Sequence, residues 1–145
     1  SNTESVATGD IILDSIEIVS KQLLPKPDDE WDEDKVSFQI FSEPKVNFDS
    51  KLLFVGIRVD IIYEGHKESL ANFFIATIFE LPQFNNVVQR KAGKHFGIEE
   101  ATLERLMDIA ISTARGVIYS ELRGTYLNNV ILPILNLKDF QLVKN

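Results

Sequence analysis

Apolar and polar residues alternate most regularly between residues 52 and 63. Leu53, Val55, Ile57, Val59, Ile61 and Tyr63 point one way, with Gly56, Arg58, Asp60 and Ile62 on the other, which predicts a strand with one buried face. Residues 35–41 repeat the rhythm, setting Val36, Phe38 and Ile40 against Ser37 and Gln39. Pro44 interrupts it, so 45–50 read as an edge strand or a bend. After a turn at Glu64-Gly-His-Lys67, residues 69–81 return as a strand whose shared face is Ala71, Phe73, Ile75, Thr77, Phe79 and Leu81. A meander with one mostly polar face predicts an antiparallel sheet covered on one side.

Elsewhere the period changes. Residues 10–24 fit both helical and strand spacing through Ile12, Ile16, Ile18, Val19 and Leu23, and their β-branched richness favours a strand. Pro25, Pro27 and the acidic run from Asp28 to Asp34 then read as a long exposed connection. Residues 82–97, with Pro82, two glycines and the basic cluster Arg90-Lys-Ala-Gly-Lys94, read as a loop. From about 99 to 123 a helical stripe runs through Leu103, Leu106, Met107, Ala110, Ile111, Ala114, Val117, Ile118 and Leu122. Glu99 and Glu100 suit the positive end of its dipole and Arg123-Gly124 its C-terminus. Glu121 breaks the stripe. Either it pairs with Arg115 or Arg123 of a neighbouring subunit, or the helix ends early and leaves it solvated. Beyond Gly124 an apolar tail, including Leu132-Pro-Ile-Leu-Asn-Leu137, is not helical.

The chain has 145 residues, 44% of them hydrophobic and 26% charged, enough for a single globular domain spanning 1–145. Residues 1–9 read as disordered or as a cloning remnant. A formal net charge of -7 disfavours contact with phosphate backbones, so nucleic acid is not an expected partner. The absence of cysteine excludes disulfides and thiolate metal sites and suits a reducing compartment. No apolar run reaches the roughly eighteen residues of a membrane span, and no signal peptide is visible, so a cytoplasmic location without membrane insertion is expected.

Chemistry-bearing motifs are missing. His66 and His95 are the only histidines and lie far apart, His66 in a turn. The basic cluster lacks the glycine spacing and the Ser/Thr of a phosphate-binding loop. No serine sits in a Gly-x-Ser-x-Gly elbow. The acidic run lacks the glycine and spacing of a calcium loop and reads as solvated. No enzyme activity, cofactor or metal is therefore expected. Trp31, in the midst of that run, reads either as a groove-lining aromatic or as a cap on the sheet edge.

Three short motifs carry a family resemblance: Ala114-Arg115 in the helix, Arg123-Gly-Thr-Tyr126 at its end, and Leu135-Asn-Leu137 in the tail. With Trp31 before the second strand and the order strand, connection, meander, helix and tail, the chain resembles the SecB family of export chaperones. It departs from that family in lacking the Cys-Pro-Asn and Phe-Pro-Tyr run before the Ala-Arg pair, where it has Leu106–Thr113, and in ending at Asn145 with little room for a second C-terminal helix. A divergent SecB-like protein is the expectation.

The resemblance implies an α+β fold, a four-stranded antiparallel sheet with a long helix packed on one face, assembled as a dimer of dimers. It implies an ATP-independent holdase that takes unfolded or extended polypeptide into apolar grooves, in protein export or in toxin–antitoxin control. Leu24, Trp31, Tyr126, Leu132, Leu135 and Leu137 would line those grooves. Glu64 and Glu68, flanking the hairpin turn, would meet a translocation ATPase, or else are ordinary turn acids. Ala114, Ile118 and Glu121 would lie at a subunit contact. The alternative is an oligomeric scaffold of the same fold with one fixed folded partner, its grooves filled by its own side chains.

Overall fold

The computed structural model describes residues 11–27, 30–93 and 95–136. The lead-in at 1–9 and the expected groove residue Leu137 lie outside the described residues. In chain order the elements are β1 (Ile12–Leu23), a 3-10 turn (Glu33–Lys35), β2 (Val36–Asn47), β3 (Leu52–Tyr63), β4 (Ala71–Glu80), the short helix α1 (Phe84–Val87), β5 (Val88–Arg90), β6 (Phe96–Ile98) and the long helix α2 (Glu100–Glu121). The main sheet has the order β1-β4-β3-β2 and every pairing in it is antiparallel. α2 lies across the two central strands, β3 and β4. The fold is α+β, a four-stranded antiparallel sheet with one long helix on one face.

The alternation in β3 does what its pattern predicts: Leu53, Val55, Ile57, Val59, Ile61 and Tyr63 are all buried beneath the helix. β4 contributes Ala71, Phe73, Ile75 and Phe79 to the same layer. From above, α2 supplies Leu106, Met107, Ala110, Ile111, Ala114 and Ile118. Ala110 and Ala114, one turn apart and fully buried, let the helix backbone settle close to the sheet. The apolar tail completes the layer, because Leu127, Val130 and Leu132 are buried in the same cluster.

Two hydroxyls in this layer, Ser42 Oγ and Thr77 Oγ1, are buried without a protein partner. Thr77 faces Val55 on one neighbouring strand and Ile16 on the other. A buried hydroxyl left unpaired costs about 1 kcal/mol or more. Thr77→Val keeps the shape and removes the orphan, so denaturant unfolding should show the variant more stable by about 1 kcal/mol. A neutral or destabilised variant would mean that the hydroxyl is satisfied.

Several details differ from the pattern-based expectation. β2 runs unbroken through Pro44, which sits opposite Val55. An edge strand tolerates proline where its missing N–H would face away from the neighbour, and β2 is an edge. Residues 82–97 are not a plain loop, since α1 and the β5–β6 hairpin form within them. Both are too short to impose a period on the sequence.

In β1 the register slips at Asp14 and Val19, two bulges that put Ile12 on the opposite face from Ile16 and Ile18. The face away from the helix is also less polar than expected. Phe41, Phe54 and Phe74 lie on it, with the Arg58 guanidinium 5.4 Å from the Phe74 ring centre. Phe74 lies across Gly56, where an added Cβ would come within 2.3 Å of the ring, so only glycine leaves it that place.

Ala114 and Ile118, expected at a subunit contact, are buried against the chain's own sheet. Glu121 is the last residue of α2, and its carboxylate takes Lys21 Nζ of β1 at 2.8 Å. Lys21 places a positive charge beside the negative end of the helix dipole, which offsets the cost of having an acid there. Neither Arg115 nor Arg123 is its partner within the chain.

Candidate functional site

β1 is an edge strand, and α2 leaves it uncovered. Ile12, Leu13, Ile16, Ile18, Val19 and Leu23 are each between 39% and 56% exposed. Six of the ten large apolar side chains that the described residues leave exposed therefore stand on this one strand. Leu13, Ile16, Ile18 and Leu23 share the helix side of the sheet, as their partners Phe79, Thr77, Ile75 and Ala71 do. Along this outer edge the backbone N–H and C=O groups that do not face β4 have no neighbouring strand among the described residues.

The strip runs into an aromatic corner. Leu24, just past its end, donates its N–H to Leu70 C=O at 2.8 Å and accepts the Tyr126 hydroxyl at 2.7 Å. The Tyr126 ring meets Trp31 edge-on, centroids 5.5 Å apart at 89°. Trp31 stacks flat on Tyr63 at 4.8 Å and 8°. Tyr63, at the buried end of β3, fixes the connection by its hydroxyl, which donates to Glu30 C=O (3.3 Å) and accepts from Asp32 N–H (3.0 Å). His66 closes the far side, its ring 5.3 Å from that of Tyr63. Asp32 then caps the 3-10 turn, accepting the N–H of Asp34 at 3.0 Å. Trp31 is thus held in place by stacking and remains partly open to solvent, as do Leu24 and Tyr126.

Burial raises the pKa of the Tyr126 phenol above the usual value, and the neutral group is the one that can donate to Leu24. With the folded value raised, the unfolded chain releases this proton first as pH rises. The contribution is complete below about pH 10 and is lost as pH climbs through the folded value. Tyr126→Phe should remove this part of the alkaline loss of stability, seen as a smaller difference between denaturant midpoints at about pH 9 and pH 11. An unchanged slope would assign the alkaline loss to other groups.

Two arginines of the sequence motifs shape the tail. Arg115 donates from Nε to Leu132 C=O at 2.9 Å and from Nη2 to Pro133 C=O at 3.0 Å. Arg123 donates to Tyr119 C=O at 2.9 Å and to Asn128 C=O, with its guanidinium 3.7 Å from the Tyr119 ring centre. Gly124, at φ 77°, turns the chain back between them. The tail is strapped to α2 by its carbonyls, and Leu132 is driven inward to 2% exposure. Leu132 therefore has no side-chain surface for a client, whereas Leu135 is half-buried and the intervening Ile134 is 91% exposed. Glu64 and Glu68 are exposed on the β3–β4 turn, far along the sheet from the strip's start at Ile12.

The family resemblance assigned Leu24, Trp31 and Tyr126 to one site, and in the structure Tyr126 contacts both of the others. Pattern reading missed the main strip, β1, whose alternation is scrambled by the two bulges. A signal was available in the crowding of β-branched residues at 11–19, where Ile11, Ile12, Ile16, Ile18 and Val19 outnumber the two charges Asp14 and Glu17.

Among the described residues no group of acids and histidines is arranged to hold a metal ion, and no helix is long and apolar enough to cross a membrane. No protein-family model matches the chain, and no curated protein matches it. Among solved structures it is similar to a SecB-like chaperone of Mycobacterium tuberculosis, in complex with a ChAD peptide from an antitoxin. The two are 14% identical, with a TM-score of 0.48, over 87% of this chain and 91% of that one.

Proposed function

We propose that this chain is an ATP-independent, SecB-like polypeptide-binding protein that holds extended, non-native segments along β1. The observation that carries the proposal is the exposed apolar strip on an unpaired edge. An extended client can pair its backbone with such an edge while alternate side chains rest on Leu13, Ile16, Ile18 and Leu23. At the end of the strip, Leu24, Trp31 and Tyr126 offer a fixed aromatic platform for one larger side chain. The two bulges and the charges Asp14, Glu17 and Lys21 suit reversible binding, because they deter indiscriminate edge-to-edge growth. The Arg-Gly-Thr-Tyr and Ala-Arg motifs support the same reading, and export and toxin–antitoxin control are the two settings it allows.

The test is dilution of a chemically unfolded client into buffer holding a stoichiometric amount of the protein. Suppressed light scattering without ATP is the expected result, and undiminished aggregation would end the holdase reading. The second reading, a scaffold whose β1 is covered by another copy, is favoured by the length of the strip. It predicts a defined oligomer in solution that binds neither unfolded peptide nor an apolar dye.

A further inference from the structure

The basic residues of this acidic chain are unevenly placed. Residues 81–98 contain no Asp or Glu but include Arg90, Lys91, Lys94 and His95. The β5–β6 hairpin that carries Arg90 and Phe96 faces the end of β2, and between them lies a cleft of about 470 Å³. Its floor is apolar, formed by Val46, Phe48 and Phe96, all partly buried. Cations stand at its mouth. Arg90 holds its guanidinium 4.3 Å from the centre of the Phe48 ring and makes no ion pair among the described residues. Lys45 also lines the cleft, with Glu43 3.6 Å away as a loose partner.

The cleft is large enough for a ligand group, at the lower middle of the usual range. Among the described residues no neutral hydrogen-bonding side chain lines it. A nucleobase or sugar would bury its polar edges unpaired there, at a cost that cations at the rim do not offset. An apolar side chain next to a carboxylate has no such deficit: the hydrocarbon meets Phe48 and Phe96, and the carboxylate meets Arg90 and Lys45. The overall negative charge does not veto this, because at ordinary salt screening confines repulsion to about 10 Å.

We propose that the cleft between β2 and the β5–β6 hairpin is a second polypeptide site, one that selects an acidic residue beside an aromatic or aliphatic one. It rests on the polypeptide-binding reading and adds a preference that the β1 strip, with both signs of charge, does not supply. The strip and the cleft lie on opposite edges of the sheet, so they can be separated by substitution.

The experiment is fluorescence anisotropy of the intact protein with a short labelled peptide alternating phenylalanine and glutamate, beside its phenylalanine–lysine counterpart. The expected result is about tenfold tighter binding of the acidic peptide at low salt, an advantage that closes by about 0.5 M salt. Arg90→Glu should abolish the advantage, and Lys45→Glu, on the exposed β2 edge, should reduce it even if the first variant folds poorly. The Ile16→Ser, Ile18→Ser double variant, which thins the strip without adding charge, should keep it. Equal affinity for both peptides would overturn this inference and leave the polypeptide-binding reading standing, whereas binding of neither would overturn both. Displacement of the acidic peptide by inorganic phosphate at low millimolar concentration would also overturn it, because the cleft would then be a simple anion site.

Discussion

Changing Ile16 and Ile18 together to lysine should leave the protein folded and weaken its hold on an unfolded client about thirtyfold or more. Both side chains are about 40% exposed on the edge strand, so little of the core depends on them. Completing the burial of a half-exposed isoleucine is worth about 1 kcal/mol, and two of them about 2 kcal/mol, which is roughly thirtyfold in affinity. Each lysine adds the cost of desolvating an ammonium under the client. The measurement pairs a thermal melt with titration of a labelled unfolded peptide. Unaltered affinity in a folded variant would remove β1 from the binding site. A large fall in the melting temperature would instead mean that the strip is already covered within the protein.

Ala114→Leu tests where the helix stripe points. Ala114 is fully buried between α2 and the sheet, so three extra carbons must push the helix outward or force strained rotamers. Overpacking of this kind costs about 2 kcal/mol, or roughly 6–8 °C in melting temperature for a domain of this size. The mass in solution should not change. A variant that melts normally but alters the oligomeric state would return Ala114 to a subunit contact, the place the family resemblance implied.

That pair of residues also shows where sequence and structure part. An apolar stripe at helical spacing states that a face is covered and does not state by what. Ala114 and Ile118 could equally have met another subunit, and only the positions of β3 and β4 decide that they meet the chain's own sheet. β3 was fully legible because one long unbulged strand keeps a strict period of two, and every inward residue it predicts is buried. β1 was legible as a strand yet not as a site, because bulges at Asp14 and Val19 shift the faces without leaving a mark in composition. The aromatic corner was half legible. Trp31 stood out among acids, but Tyr63, which holds it, was spent in the reading as one more inward residue of β3. Arg115 was noticed as half of a motif, while its bonds to Leu132 and Pro133 depend on where the tail returns, which no local pattern encodes.

Pro44 has a consequence for growth. Sheets that add strands at both edges have no natural stopping point, and that is how fibres begin. Here β2 carries Glu43, Pro44 and Lys45 toward its C-terminal end, which the β5–β6 hairpin faces, features that disfavour further strands on this side of the sheet. In the proposed function β1 is the side that takes one. A protein that can be extended at one side alone is a terminator: whatever pairs with it, client or second copy, the ribbon ends after a single addition at each protein's open side. If β1 is the binding strand, such a protein would be expected to expose it at high concentration and still form discrete particles.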